Sequence, residues 1–276
     1  MGLRIGTNIA AMSVMRNMRL SQNDTNRAMA QLSSGNKFST AGSDPAGFAI
    51  SERLRGQAQG LRASKMNADN AISFIQVAEG GLNEQNNIII RMRELAIQSA
   101  SDTVSETERG FLNQEFQQLR SEIDRVAKTT QYGSAKLLMG SGKSFSFQVG
   151  AYDGPENQIN YSLEANTTIN ALGISKTTIG SKDESLDSLE TIDNAMAMIS
   201  SSRASFGAMQ SRLEHAINHL ESHQYSIEEA RSKMADTDVA EAISTMTAGQ
   251  IALQFQVGVL TQANSSSQSA LKLLQS

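Results

Sequence analysis

Residues 54–96 read LRGQAQGLRASKMNADNAISFIQVAEGGLNEQNNIIIRMRELA, and their spacing decides the fold. Stepping by seven from Leu54 meets Leu61, Ala68, Ile75, Leu82, Ile89 and Ala96, all apolar, with Ala58, Ala71, Ile72, Ala78 and Met92 on the flanking steps. That period holds one stripe of a helix against a partner, so the stretch predicts one continuous helix with a heptad seam. Asp44 is a suitable N-cap, and Pro45 suits the first helical position, where its missing N–H has no intrahelical partner to lose. The chain of 276 residues holds two prolines, Pro45 and Pro155, so little interrupts long helices. From Asp44 to about Ala100, at 1.5 Å per residue, the helix would be roughly 85 Å long. No single globular core has that length, which predicts an elongated molecule.

Outward from this helix, the polar turn Ser101–Glu108 leads to a stripe of Leu112, Phe116, Leu119, Ile123 and Val126. The short connection predicts an antiparallel helical hairpin. A third helix repeats apolar residues by sevens at Ile192, Ile199, Phe206, Leu213, Leu220, Ile227 and Met234. Its partner phase is Leu189, Met196, Arg203, Gln210, Ile217, Gln224 and Arg231, which reads as a wet or shared edge, or else as a surface-facing second seam. The phase shifts at Asp236-Thr237-Asp238, where Asp238 and Glu241 have capping-box spacing, and a new stripe follows: Val239, Ile243, Met246, Leu253, Val257, Leu260, Leu271 and Leu274. Near the N-terminus Ile5, Ile9, Met12, Met15, Met18, Met29 and Leu32 form another, interrupted by Ser33-Ser34-Gly35 and Ala41-Gly42-Ser43. Between the long helices, Phe145, Phe147 and Val149 alternate, as do Ile159, Tyr161 and Leu163, around Asp153-Gly154-Pro155; this predicts a β-hairpin. The fold class is therefore mainly α: a helical rod or coiled coil with a small β-hairpin insertion.

Composition narrows the function. Lys plus Arg total 24 and Asp plus Glu 28, a net charge of −4 that argues against nucleic-acid binding. Aromatic residues at 5%, with no Trp, argue against a compact enzyme core. Cys is absent, which excludes disulfides, thiolate metal sites and Cys nucleophiles. No apolar run is long enough for a membrane helix, and neither a cleaved signal peptide nor myristoylation at Gly2 is expected. No nucleophile, base and oxyanion set converges, so the chain is not expected to be an enzyme and no cofactor is implied. Gly80-Gly81 follows no strand, so it reads as a close helix crossing rather than a phosphate loop.

His215, His219 and His223 are spaced i, i+4, i+8 and share one helix face. Two histidines one turn apart can hold a transition metal. A closed site needs a fourth ligand, however, and Glu214 and Glu221 face other directions. The three are read as a solvated flank, with no metal assigned; a pH-responsive role is a further alternative.

Several stretches together resemble bacterial flagellins. At the N-terminal end these are Gly6-Thr7-Asn8, Arg16-Asn17-Met18, Leu32-Ser33-Ser34-Gly35, Asp44-Pro45-Ala46-Gly47-Phe48-Ala49-Ile50-Ser51-Glu52, Asn67-Ala68-Asp69-Asn70-Ala71-Ile72-Ser73, Arg91-Met92-Arg93-Glu94-Leu95-Ala96 and Glu122-Ile123-Asp124-Arg125-Val126. At the C-terminal end they are Gly207-Ala208-Met209-Gln210-Ser211-Arg212-Leu213, Asp236-Thr237-Asp238-Val239-Ala240-Glu241, Leu260-Thr261-Gln262-Ala263-Asn264 and Leu271-Lys272-Leu273-Leu274. Ser43-Asp44 stands in place of the family's Asp-Asp pair, Tyr132-Gly133-Ser134 in place of its Phe-Asn-Gly turn, and the middle is short, as in forms lacking outer variable domains.

The resemblance implies a subunit that polymerises into the flagellar filament for swimming motility, secreted by type III export to the extracellular flagellum. A hook–filament junction protein is the alternative, and a cytoplasmic helical signalling rod a more distant one. The implied domains are 1–43 with 237–276 as an inner coiled coil formed on assembly, 44–140 with 186–236 as a helical rod, and 141–185 as the hairpin. An amphipathic helix is marginal in water until packed, so the terminal segments are expected to fold as the subunit joins the filament. Ile5, Ile9, Met12, Leu253, Val257, Leu260, Leu271 and Leu274 are the expected polymerisation residues. Implied partners are copies of the chain, an export chaperone at the C-terminus, the filament cap and hook-associated proteins, with no nucleic acid and no membrane insertion. In many flagellins a vertebrate innate receptor, Toll-like receptor 5, grips the rod. The matching positions are Arg91, Leu95 and Glu115, while Ile90 replaces a Gln of many recognised relatives, which implies weaker recognition.

Overall fold

A computed structural model describes residues 7–38, 40–42 and 44–275, the side chains of 267, 268 and 270–275 excepted. It forms two compact units: a central one, Ala58–Tyr225, and a terminal one, Met1–Gln57 with Ser226–Ser276. The divisions expected from the sequence, at 43/44 and 236/237, concern layers of an assembled filament rather than compact units of one subunit. Helices α2 (Pro45–Ser99) and α4 (Lys182–Ala235) each supply residues to both units, and their heptads run on without a local mark at 57/58 or 225/226.

In the central unit, α2 and α3 (Glu106–Thr129) run antiparallel, as the hairpin reading requires. Gln85 of α2 donates to Ile123 O at 3.0 Å, while Arg91, further along α2, bonds Glu115, which lies earlier in α3. The start of α3 is fixed by a full capping box between Ser105 and Glu108. The core joins both seams: Ile75, Leu82, Ile89, Met92 and Leu95 of α2, Phe116 and Ile123 of α3, and Ile192, Ile199, Phe206 and Leu213 of α4 are buried. All of the polar-phase positions of α4, from Leu189 to Arg231, are half-buried, which matches an edge shared with solvent. Gly81 marks a close approach, though not to a helix: a Cβ there would lie 2.6 Å from Thr130 Oγ1, just past the end of α3.

A short ribbon pairs β1 (Gln131–Tyr132) with β2 (Ala135–Lys136) around Gly133; the alternation signal did not show it because each strand has only two residues. The expected hairpin is β3 (Ser144–Gln148) with β4 (Gln158–Ser162), placing Phe145 opposite Tyr161 and Phe147 opposite Ile159. Phe74 packs against Tyr132, Phe145 and Phe147 at centroid distances of 5.8, 5.0 and 5.8 Å, and Tyr161 against Phe206 at 5.3 Å, so aromatic rings fasten the hairpin to the helices. Helix α4 begins at Lys182 rather than near residue 186, because its first turn is polar and lies ahead of the apolar repeat.

In the terminal unit, α1 (Ile9–Ser34) packs along α5 (Val239–Gln275). Asn8 Oδ1 caps α1 by accepting from Ala11 N at 3.0 Å, and Gly35 ends it in the left-handed region at φ 67°. Asp238 Oδ1 accepts from the N–H groups of Ala240 and Glu241 at 2.9 and 3.2 Å, so it caps α5 where the phase shift fell. Asp44 Oδ1 accepts from Gly47 N at 3.0 Å, the cap expected for α2. The two sequence breaks meet: Lys37 N donates to Ala235 O at 2.7 Å, Thr237 N donates to Gly35 O at 3.0 Å, and Asn36 bridges Asp236.

Candidate functional site

The α1–α5 pair has two faces of different chemistry. Along α1, the covered or half-covered positions Ala11, Val14, Met18, Ser21, Thr25, Ala28 and Leu32 alternate by three and four. Along α5 the same spacing selects Ala242, Met246, Gly249, Leu253, Gln256, Leu260 and Ala263. This is a coiled-coil seam made largely of small and polar side chains. Asn8 Nδ2 donates to Ala263 O at 3.0 Å and Gln256 Nε2 to Ser21 Oγ at 3.0 Å, fixing an antiparallel register. Gly249 packs directly on Thr25, where any Cβ would collide with the hydroxyl.

Many larger apolar side chains point away from the seam, although Met18, Leu32, Met246, Leu253 and Leu260 lie in it. Ile9 is 62% exposed, Met12 58%, Val257 55% and Phe255 72%, with Met15, Met29, Val239, Ile243, Ile251 and Val259 also exposed. Isolated exposed apolar residues are ordinary, whereas a run along two adjoining helices marks an interaction surface.

This sorts the expected polymerisation residues. Ile9, Met12 and Val257 lie on the open face. Leu253 and Leu260 are half-buried at seam positions facing α1 of the same chain. Ile5 lies outside the described residues, as do the side chains of Leu271 and Leu274. The reading by large apolar residues shared Met18 and Leu32 of α1 and the Met246, Leu253 and Leu260 phase of α5 with the true seam. Ala242, Gly249 and Gln256, and Ser21, Thr25 and Ala28 opposite, gave no hydrophobic signal; the three-four spacing of small residues was the available clue.

On the central unit, Arg91 is exposed and donates from Nε and Nη2 to Glu115 Oε1 at 3.0 and 2.8 Å, and from Nη1 to Glu94 Oε2 at 3.0 Å. The bonds to Glu115, then Glu94, push the guanidinium pKa further up. Leu95 is fully buried in the core, so of the expected receptor positions only Arg91 and Glu115 are open to a partner. His215 and His219 are exposed and His223 is half-buried. Among the described residues no group of three or more His, Asp or Glu gathers at metal-binding distance.

Two family models match the chain: the bacterial flagellin N-terminal helical region at residues 5–143 and the C-terminal helical region at residues 189–274. A flagellin of Halalkalibacterium halodurans is 38% identical over 271 residues, covering 98% of this chain and 99% of the relative. One from Bacillus subtilis is 33% identical over 303 residues, covering 99% and 100%. The crystal structure of Bacillus cereus flagellin superposes with a TM-score of 0.50 at 26% identity, covering 56% of this chain and 88% of that one. The chain belongs to the bacterial flagellin family. It is a structural subunit that polymerises into the flagellar filament, an extracellular structure, and nothing in the family match favours the junction-protein alternative. No helix among the described residues is long and apolar enough to cross a membrane.

Proposed function

We propose that the subunit enters the filament through the outward faces of α1 and α5, and that neighbouring copies complete the packing of this terminal pair. The observation that carries this reading is the exposed apolar face of the pair, with Ile9, Met12, Phe255 and Val257 outside while small residues such as Ala11, Thr25, Ala28, Ala242 and Gly249 take up much of the seam. Covering an aliphatic side chain of this size contributes roughly 1.5–3 kcal/mol. A seam in which Ala, Ser, Thr and Gly alternate with a few larger residues such as Leu253 and Leu260 buries less than one filled with large side chains, so the pair reaches full stability only when copies cover its open face. Assembly and folding of the ends are thereby coupled.

A chain ending after Gln256 tests this. It should stay soluble and helical but form no filaments under salt conditions that polymerise the full chain, as judged by electron microscopy. Normal filaments from the shortened chain would contradict the coupling.

Family membership supports the finer assignments proposed with this role: no catalytic activity, secretion through the flagellar type III route, a chaperone on the C-terminal helix before export, and cap and hook-associated proteins at the filament ends. For Toll-like receptor 5, the exposed Arg91–Glu115 pair supports a contact role, and buried Leu95 shapes the helix surface beneath it. An Arg91→Ala subunit that stimulates receptor reporter cells as well as the parent would remove Arg91 from that surface.

A further inference from the structure

We propose that His215, His219 and His223 form a chelating site for a divalent transition-metal ion of the zinc, nickel or copper(II) class, held by two imidazoles one helical turn apart. These are all the histidines of the chain, gathered within nine positions of α4. Side chains four apart on a helix are neighbours, so His219 stands beside both His215 and His223. The rings of His219 and His223 are 6.1 Å apart between centroids, inclined at 45°. A tetrahedral ion about 2.0–2.1 Å from each ligating nitrogen puts two ring centroids roughly 5 Å apart. Closing the remaining gap of about 1 Å takes only side-chain rotation, which is fast for surface residues.

The rings are also available. Among the described residues no hydrogen bond or ion pair engages any of the three. The nearby carboxylates are occupied: Glu221 pairs with Lys65, and Glu214 accepts from Gln210 Nε2 at 2.9 Å. With no third acidic or imidazole ligand gathered there, water fills the other coordination positions. The site is an open, exchangeable surface chelate rather than a closed structural centre. His219 belongs to both pairs, so one ion is held at a time in either of two overlapping arrangements. Leu213 and Leu220 of the same helix are buried, so the core contacts of this segment do not use the histidines. An ion spanning one turn of α4 also ties that turn in helical form. This inference stands apart from the assembly reading, since it uses none of the residues of α1 or α5.

Titration calorimetry of the full-length monomer with zinc chloride, repeated with nickel chloride, tests it. The expected result is saturable heat for one ion per chain, with imidazole resonances of these histidines shifting in proton–nitrogen spectra. His219→Ala should abolish the heat with an unchanged circular dichroism spectrum. His215→Ala and His223→Ala should each retain binding through the remaining pair. Joining those two substitutions should remove it again although His219 is present, a second route to the same loss. Absence of saturable heat in the parent, or equal heat in His219→Ala and the parent, would overturn the site.

Discussion

The central and terminal units use the same helical repeat to opposite ends. In the central unit the heptad positions carry Ile75, Leu82, Ile89, Phe206 and Leu213, and all are buried within the chain. In the terminal unit Ala11, Ser21, Thr25, Ala28, Gly249 and Gln256 share the seam with Met18, Leu32, Met246, Leu253 and Leu260, while Ile9, Met12, Phe255 and Val257 face out. The contrast teaches that a heptad pattern says a helix has a partner, but side-chain size along each phase says whether that partner is in the same chain. A unit with its large residues inside can be stable alone. One that leaves many of its large residues outside is built to be completed by others.

Paired substitutions test the contrast most strongly. Phe206→Ala should destabilise the monomer by about 3–5 kcal/mol, seen in thermal unfolding followed by circular dichroism. Phe255→Ala, equally large on paper, should change monomer stability by less than about 0.5 kcal/mol yet suppress filament formation in sedimentation assays. Similar monomer losses for both would erase the distinction between the units.

Next in size is Gly249→Ala, which puts a methyl group against Thr25. It should cost about 1–3 kcal/mol per subunit, read as a lower temperature of filament depolymerisation, with central-unit unfolding unchanged. Ser105→Ala should remove the α3 cap for about 1 kcal/mol, visible in the monomer because α3 belongs to the central unit.

The smallest effect concerns pH. Asp102 is held below the usual carboxylate range by hydrogen bonding to Lys182, Glu108 by the Ser105 N–H and hydroxyl, and Glu122 by Arg125. Because these pKa values are lowered on folding, their stabilisation is present above the ordinary carboxylate range. It is lost as pH falls through that range to the lower native values. Asp102 and Glu108 are exposed and Glu122 is only half-buried, so the loss is modest and shrinks with salt. Lys182→Met should flatten part of this acid limb in monomer melting temperatures; an unchanged slope would remove the Asp102 contribution.

Much of the fold was legible in the sequence because long helices write strong periodic signals. Pro45, Asp44 and Asp238 marked helix starts that the caps reproduce, and Phe145 to Leu163 gave the hairpin. The division at 57/58 and 225/226 was not legible, since α2 and α4 carry their repeats past it. The contact between Gly35–Lys37 and Ala235–Thr237 is made by backbone groups, which leave no side-chain pattern. The assembly face was half legible. Large apolar residues drew attention to α1 and α5, but only the positions of Ala, Ser, Thr and Gly tell which phase faces inward. Likewise Leu95 looked like part of a surface stretch beside Arg91, and its burial follows from a seam position that spacing within Arg91–Ala96 did not separate.

Hydrogen exchange measured residue by residue, on the dilute monomer and on assembled filaments, addresses the coupling of assembly and folding most directly. Amides of α1 and α5 should exchange rapidly in the monomer and become strongly protected in the filament, while the buried stretches of α2, α3 and α4 in the central unit stay protected in both. Equal protection of α1 and α5 in the dilute monomer and the filament would contradict it.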